Sequence, residues 1–297
     1  MQSELVKKVG WRARQGRDSG MDAQETPSKA PAKPRRRRLM LKAARRALPW
    51  LVIIAIFVLW EGVVRVFDIE QFVLPAPTAI FAAGWQWRAE MLDNAWQTLM
   101  TTAVGFSLAV IFGLVGGVLF GSSTLIYDGF YPALVGFNSI PKVAVIPILV
   151  IWFGIGTVPA IVTAFLISFF PILVNVAAGI ATVEPELKDV LRALGARRWQ
   201  IVQKVGLPRS MPYFFAALKV AITFAFVGSI VAETVAANKG IGNLMLVASS
   251  RFEVPLAFAG LLVTSIMGIG MYLVTEFIER RTIGWATRSV DAAGPPR

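Results

Sequence analysis

The chain has 297 residues, 56% of them hydrophobic, a mean hydropathy of +0.62 and a net charge of +12. A soluble fold of this length would hide that much apolar surface poorly, so a polytopic membrane protein is the first reading. The absence of cysteine and histidine excludes disulfides, thiol nucleophiles, imidazole acid–base catalysis and most transition-metal sites.

The chain opens with a basic leader, residues 1–47. Residues 1–49 hold 14 of the 30 Lys and Arg, and residues 1–34, rich in Ser, Pro, Lys and Gln, are expected to be disordered. Such a tract could be a nucleic-acid arm. It abuts an apolar run, however, which favours a cytoplasmic leader beside anionic lipid, with no nucleic-acid partner. No small-x-small cleavage site closes the run, so it reads as a span rather than a signal peptide.

Span 1 is expected over 48–67, with Glu61 and Arg65 spaced to pair on one helix face. Pro75 and Pro77 break the helix, and Thr78 is placed to cap an interfacial helix over 79–92 that carries Trp85 and Trp87. Span 2 (94–120) holds Gly105, Gly113, Gly116, Gly117 and Gly121, which let helix backbones approach closely in lipid. Span 3 (130–152) contains Pro132, Pro141 and Pro147, so a kink or a local unwinding is expected. Span 4 (159–182), span 5 (212–236) and span 6 (255–278) have the ~20-residue length the hydrocarbon core demands. Gly260, Gly268 and Gly270 in span 6 read as close packing, at a homodimer interface. The tail, 281–297, is polar. The fold class is an all-α membrane protein with six transmembrane helices and a transmembrane body over 48–280.

With the N-terminus inside, 24 of the 30 basic residues fall on the cytoplasmic side. Only Arg88, Lys239 and Arg251 fall in outer loops, so both termini are expected to be cytoplasmic.

The stretch 183–210 is the one long charged interval in the apolar body. Leu187, Val190, Leu191 and Leu194 share a helix face, Gly195 is suited to end or bend that helix, and a second short helix is expected over 196–204 before Pro208. Two amphipathic helices joined at a glycine suit either a lipid surface or a groove on a partner protein.

The spacing Asp189, five residues, Gly195, nine residues, Val205-x-Leu207-Pro208 resembles the cytoplasmic-loop signature of bacterial ABC importer permeases. That signature is Glu-Ala-Ala, three residues, Gly, nine residues, Ile-x-Leu-Pro. This chain differs by Asp189 for Glu, Val190-Leu191 for Ala-Ala and Val205 for Ile. FVLPAPTAI, IPKVAVIPILVIWFGIGT, FFPILVN and AETVAANKGIGNLM are similar to the nitrate/sulfonate/taurine branch. The resemblance covers about residues 48–281. It implies a type I importer in the bacterial inner membrane, in which a homodimer of permeases binds two ABC ATPase subunits and a periplasmic substrate-binding protein. Asp189, Arg192, Gly195, Ala196, Arg197, Trp199, Leu207 and Pro208 would then form the ATPase-coupling region. No phosphate-binding loop of the Gly-x-x-x-x-Gly-Lys-Ser/Thr type occurs, so ATP would be used by the partner and this chain would bind no cofactor or metal.

Polar side chains inside spans are costly and are therefore pathway candidates: Asn138, Lys142, Asn175, Thr223, Ser229 and Glu233. The alternative for each is a structural hydrogen bond or ion pair. Lys142 is the one deep cation that would attract an anionic substrate. Gly240 and Gly242 read as a turn supporting the outer gate, not as a phosphate loop. Import of a small anion or polar metabolite (taurine, alkanesulfonate, nitrate or a pyrimidine precursor) is the expected function. An ion-coupled secondary transporter is the alternative, and a membrane enzyme lacks the chemistry.

Overall fold

A computed structural model describes residues 35–283, with side chains from Leu48 onward. The disorder expected of residues 1–34 and most of the tail lie outside it. Two units are distinguished, Met1–Ala55 and Ile56–Arg297. Among the described residues the first contains only the opening of α1, and all packing below belongs to the second.

The described residues are helical and contain no strand, as hydrocarbon requires of a backbone with no water to bond. α1 (Arg35–Val66) starts within the basic run, and its apolar part, Leu48–Val66, is the first span as expected. α2 (Pro77–Gln86) and α3 (Arg88–Gly121) replace the interfacial helix expected over 79–92, because the backbone breaks at Trp87. α4 (Thr124–Ser139) and α5 (Ile146–Phe153) flank a short 3-10 turn, Lys142–Val145. α6 is Thr157–Ala181, α7 Pro185–Ala193 and α8 Arg198–Ile201. α9 is Leu207–Ala236, α10 Ile241–Ser250 and α11 Val254–Thr282. Five helices are long and apolar enough to span a membrane, and α4 with α5 makes a sixth span bent by 72°. The bend falls at Pro141, which has no N–H to continue α4 and whose ring pushes Ile140 out of the helical region into an extended conformation.

The core is a seam between α3 and α6, with α9 packed along α6 and also meeting α3 directly. The span-2 glycines all face α6. A methyl group at Gly117 would stand 2.6 Å from Val176 Cβ and 2.8 Å from the Leu173 carbonyl oxygen; one at Gly105 would stand 2.6 Å from the Ile161 carbonyl. Backbone therefore meets backbone with no side chain between. On α9, Gly228 instead takes the side-chain tip of Ile167, whose Cδ1 would stand 2.8 Å from an added methyl. Ile172, Val176 and Ala221 are fully buried in this three-helix core.

The span-6 glycines are used differently from expectation. Gly260 packs on Met245 of α10 and Gly268 on Phe226 of α9, within the chain; only Gly270 has open space beside it.

At the α2 end, Glu61 pairs with Arg65 at 2.6 Å, as the spacing predicts. Thr78 does not cap α2. Pro77 already supplies an N1 residue without an N–H, and both the amide and the hydroxyl of Thr78 donate to Glu61, at 3.0 and 2.9 Å.

Candidate functional site

The polar stretch is built as a hinge. Pro185 opens α7, Glu186 sits in its first turn and Arg192 in its last, each complementing the helix dipole. α7 ends on two hydrogen bonds: Gly195 N–H to the Arg192 carbonyl at 2.9 Å and Ala196 N–H to the Leu191 carbonyl at 2.9 Å. This is a Schellman ending, and it requires a left-handed residue at Gly195, where φ is +83°. Asp189 pairs with Arg192 of its own helix at 3.1 Å.

Arg197 is extended, and its N–H is bound by the Gln200 side chain at 2.8 Å, which starts α8. The second helix expected over 196–204 is not separate. It passes through a π-turn, Val202–Gly206, directly into α9. The reason is Pro208, whose ring would clash with the carbonyl four residues back in a regular helix; the wider π-turn relieves this. Leu207 and Pro208 therefore belong to the first turn of α9. Arg209 reaches Glu184 at 3.5 Å, bracing the α9 start to the α7 start. Val190, Leu194 and Trp199 stay exposed at 57%, 78% and 61%, apolar surface of the kind that marks an interaction face.

At the opposite end of α9, Glu233 is only 1% exposed. Its carboxylate accepts hydrogen bonds from the Thr98 hydroxyl at 2.7 Å, the Thr101 hydroxyl at 3.1 Å and the Gly242 N–H at 3.2 Å. Thr101 also bonds Ser229 at 2.7 Å, and Ile241 N–H donates to Thr98 at 2.9 Å. Asn94 accepts from Gly240 N–H at 2.8 Å. Gly240 has φ +122°, and a side chain there would collide with the Glu233 carboxylate. α3, α9 and the entry to α10 are thus clamped at one point. Glu233 and Ser229, expected along a pathway, are enclosed instead, because this face of α9 is turned toward α3.

The other candidates lie apart. Lys142 Nζ donates to the Asn138 carbonyl at 2.6 Å and to Asn138 Oδ1 at 2.7 Å, across the break between α4 and α5. Asn175 Nδ2 donates to the Pro171 carbonyl within α6 at 2.8 Å, and Thr223 is exposed on α9 and donates to the Lys219 carbonyl. Lys219 itself pairs with Glu279 of α11 at 2.7 Å. Sequence reasoning misses Thr98, Thr101 and Glu279. Thr98 lies 135 residues from Glu233, and threonine in a span carries no charge to announce itself.

Residues 109–284 match the family described as "binding-protein-dependent transport system inner membrane component". The chain is 30% identical over 239 residues to the riboflavin transport system permease protein RibX of Chloroflexus aurantiacus, covering 79% of this chain and 88% of that one. It is 28% identical over 194 residues to the taurine transport system permease protein TauC of Escherichia coli, covering 64% and 70%. An inward-facing structure of the MetNI methionine ABC transporter shares the fold, with a TM-score of 0.59 and 21% identity over 66% of this chain and 97% of that one. The broken third span, the glycine-ended α7 and these likenesses agree: the chain belongs to the family of inner membrane components of binding-protein-dependent transport systems, and is a multi-pass permease subunit of an ABC importer that works with an ATPase and a substrate-binding protein.

Proposed function

We propose that the chain imports a small anionic or polar metabolite as one of two identical permease copies. Both termini and residues 183–210 face the cytoplasm, and α7 and α8 dock on the ATPase. The chain itself catalyses nothing and binds no cofactor; ATP is used by the partner. The observation that carries this reading is the hinge at Gly195, flanked by exposed Val190, Leu194 and Trp199. It is an apolar helix face without a partner among the described residues, suited to a groove on another protein. The second copy is supported by α9, which is buried elsewhere yet exposes Tyr213, Val220, Phe224 and Val227 along one face beside Thr223. Two such faces across a two-fold axis would enclose a path.

The substrate class rests on relatives named for riboflavin and for taurine and on Lys142. An ion-coupled carrier would need a carboxylate open to the path, whereas Glu233 is enclosed by its donors.

Affinity purification of the chain should bring down an ATPase, and uptake into proteoliposomes should require ATP together with the binding protein. Uptake driven by an ion gradient without ATP would sink the reading. The lack of native cysteine allows a direct test of orientation. Gln203→Cys should resist a membrane-impermeant maleimide in intact cells, and Ser250→Cys should react; the reverse pattern would overturn the orientation. Lys142→Met should slow uptake of an anionic substrate at least about tenfold, the effect of roughly 1.4 kcal/mol on the barrier. Unchanged rate and selectivity would remove Lys142 from the path.

A further inference from the structure

A cavity of about 450 Å³ opens where the α3–α4 turn meets the α7–α8 region. It lies level with the last residues of two spans, Gly121 of α3 and Ala181 of α6. That is the depth at which hydrocarbon gives way to headgroups.

Its lining is divided by chemistry. Ile180, Ile201 and Val202 give it an apolar floor, while Lys188, Arg192 and Arg198 supply three cations. Asp189 also lines it, but its carboxylate is taken up by Arg192 at 3.1 Å. Among the described residues, no carboxylate lies within ion-pair distance of Lys188 or Arg198. Ser123 adds a hydroxyl donor on the α3–α4 side, whereas the Ser122 hydroxyl already donates to the Leu119 carbonyl at 2.8 Å. Two residues beyond Ser123 on α4, Leu125 is 83% exposed, apolar surface next to the α3–α4 turn that lines the cavity.

We propose that this cavity is a binding site for the phosphodiester headgroup of an anionic phospholipid, seated between the coupling helices and the α3–α4 turn. Lys188 and Arg198 hold the phosphate, Ser123 bonds one of its oxygens, and the acyl chains leave over Leu125. A soluble anion would make use of the cations but not of the apolar floor or the exit over α4. Basic pockets between spans on the cytoplasmic side are suited to this ligand, each nearby cation contributing about 1 kcal/mol. The bound lipid would tie the α7–α8 lever to the rest of the bundle through a ligand that the membrane supplies.

The choice of inner leaflet rests on the orientation proposed above. The binding test does not, because nanodiscs offer the same lipid on both faces. The full chain, purified with its associated subunits, is exchanged into phosphatidylcholine nanodiscs containing graded amounts of phosphatidylglycerol. Retained phosphatidylglycerol is then counted by native mass spectrometry after gentle release. The parent protein should retain one such lipid per chain, and the double variant Lys188→Ala, Arg198→Ala should bind it about 30-fold more weakly. Arg197→Ala with Lys204→Ala removes the same charge from the same face outside the cavity and should retain it like the parent. Equal retention in all three, or equal loss in both double variants, would overturn the site. Displacement of the lipid by millimolar inorganic phosphate would overturn the lipid as its ligand in favour of a soluble anion.

Discussion

Glu233→Ala is expected to destabilise the folded permease by about 3–4 kcal/mol, of which an orphaned buried donor accounts for about 1–3 and the vacated carboxylate volume for much of the rest. The three donors to Glu233 are not equally exposed to its loss. Thr98 and Thr101 have backbone carbonyls within reach, at Asn94, Gln97 and Thr98. The Gly242 N–H has Glu233 as its acceptor, in the first turn of α10 where no helical carbonyl is available. Glu233→Gln is expected to be far milder, within about 1 kcal/mol. Its amide oxygen takes the place of Oε2, accepting from Thr98 and Gly242, and its NH2 donates to the Thr101 oxygen, whose own hydrogen turns to Ser229 or a carbonyl. Thermal unfolding in detergent, followed by size exclusion, measures both. If alanine and glutamine are equally damaging, charge rather than hydrogen bonding holds the clamp. If both are silent, there is no clamp.

Gly195→Pro is expected to abolish transport while leaving membrane insertion intact. Proline fixes φ near −65°, against +83° at this position, and it removes the N–H that closes the end of α7 on Arg192. The damage is confined to the hinge, because a Cβ here meets nothing within 4 Å and the spans on either side are complete. Gly195→Ala separates conformation from sterics. It should lose about 1–2 kcal/mol of preference for the left-handed turn and transport partially. ATP-dependent uptake with co-purification of the ATPase reads both variants. A Gly195→Pro permease with full uptake would remove the coupling role from this hinge.

Much of this architecture can be read from residue order. Apolar runs of bilayer length mark the spans, Pro141 marks the break in the third, and Gly195 marks the end of α7, since each acts through local backbone chemistry. What escapes the sequence is which surfaces meet. The glycines of α3 announce a close approach but not that its partner is α6, three elements later. Gly260 and Gly268 suggest a subunit interface, yet they pack on Met245 and Phe226 of the same chain. Glu233 stands out as a charge in a span, and only the fold reveals the threonines that enclose it. In the sequence Pro208 reads as separating a short helix from span 5; the π-turn shows that the chain widens its helix rather than ending it.

The seam between α3 and α6 also imposes an order of assembly. During synthesis α3 enters the membrane well before its partner exists, with a stripe of bare backbone at Gly105, Gly113, Gly117 and Gly121 that lipid tails fill poorly. That stripe is covered only once the α6 residues that face it, Ile161 through Ile180, have been made. The nascent permease therefore passes through a period in which its most tightly packed surface is also its least protected, and a chain stalled before residue 157 has no means of closing it.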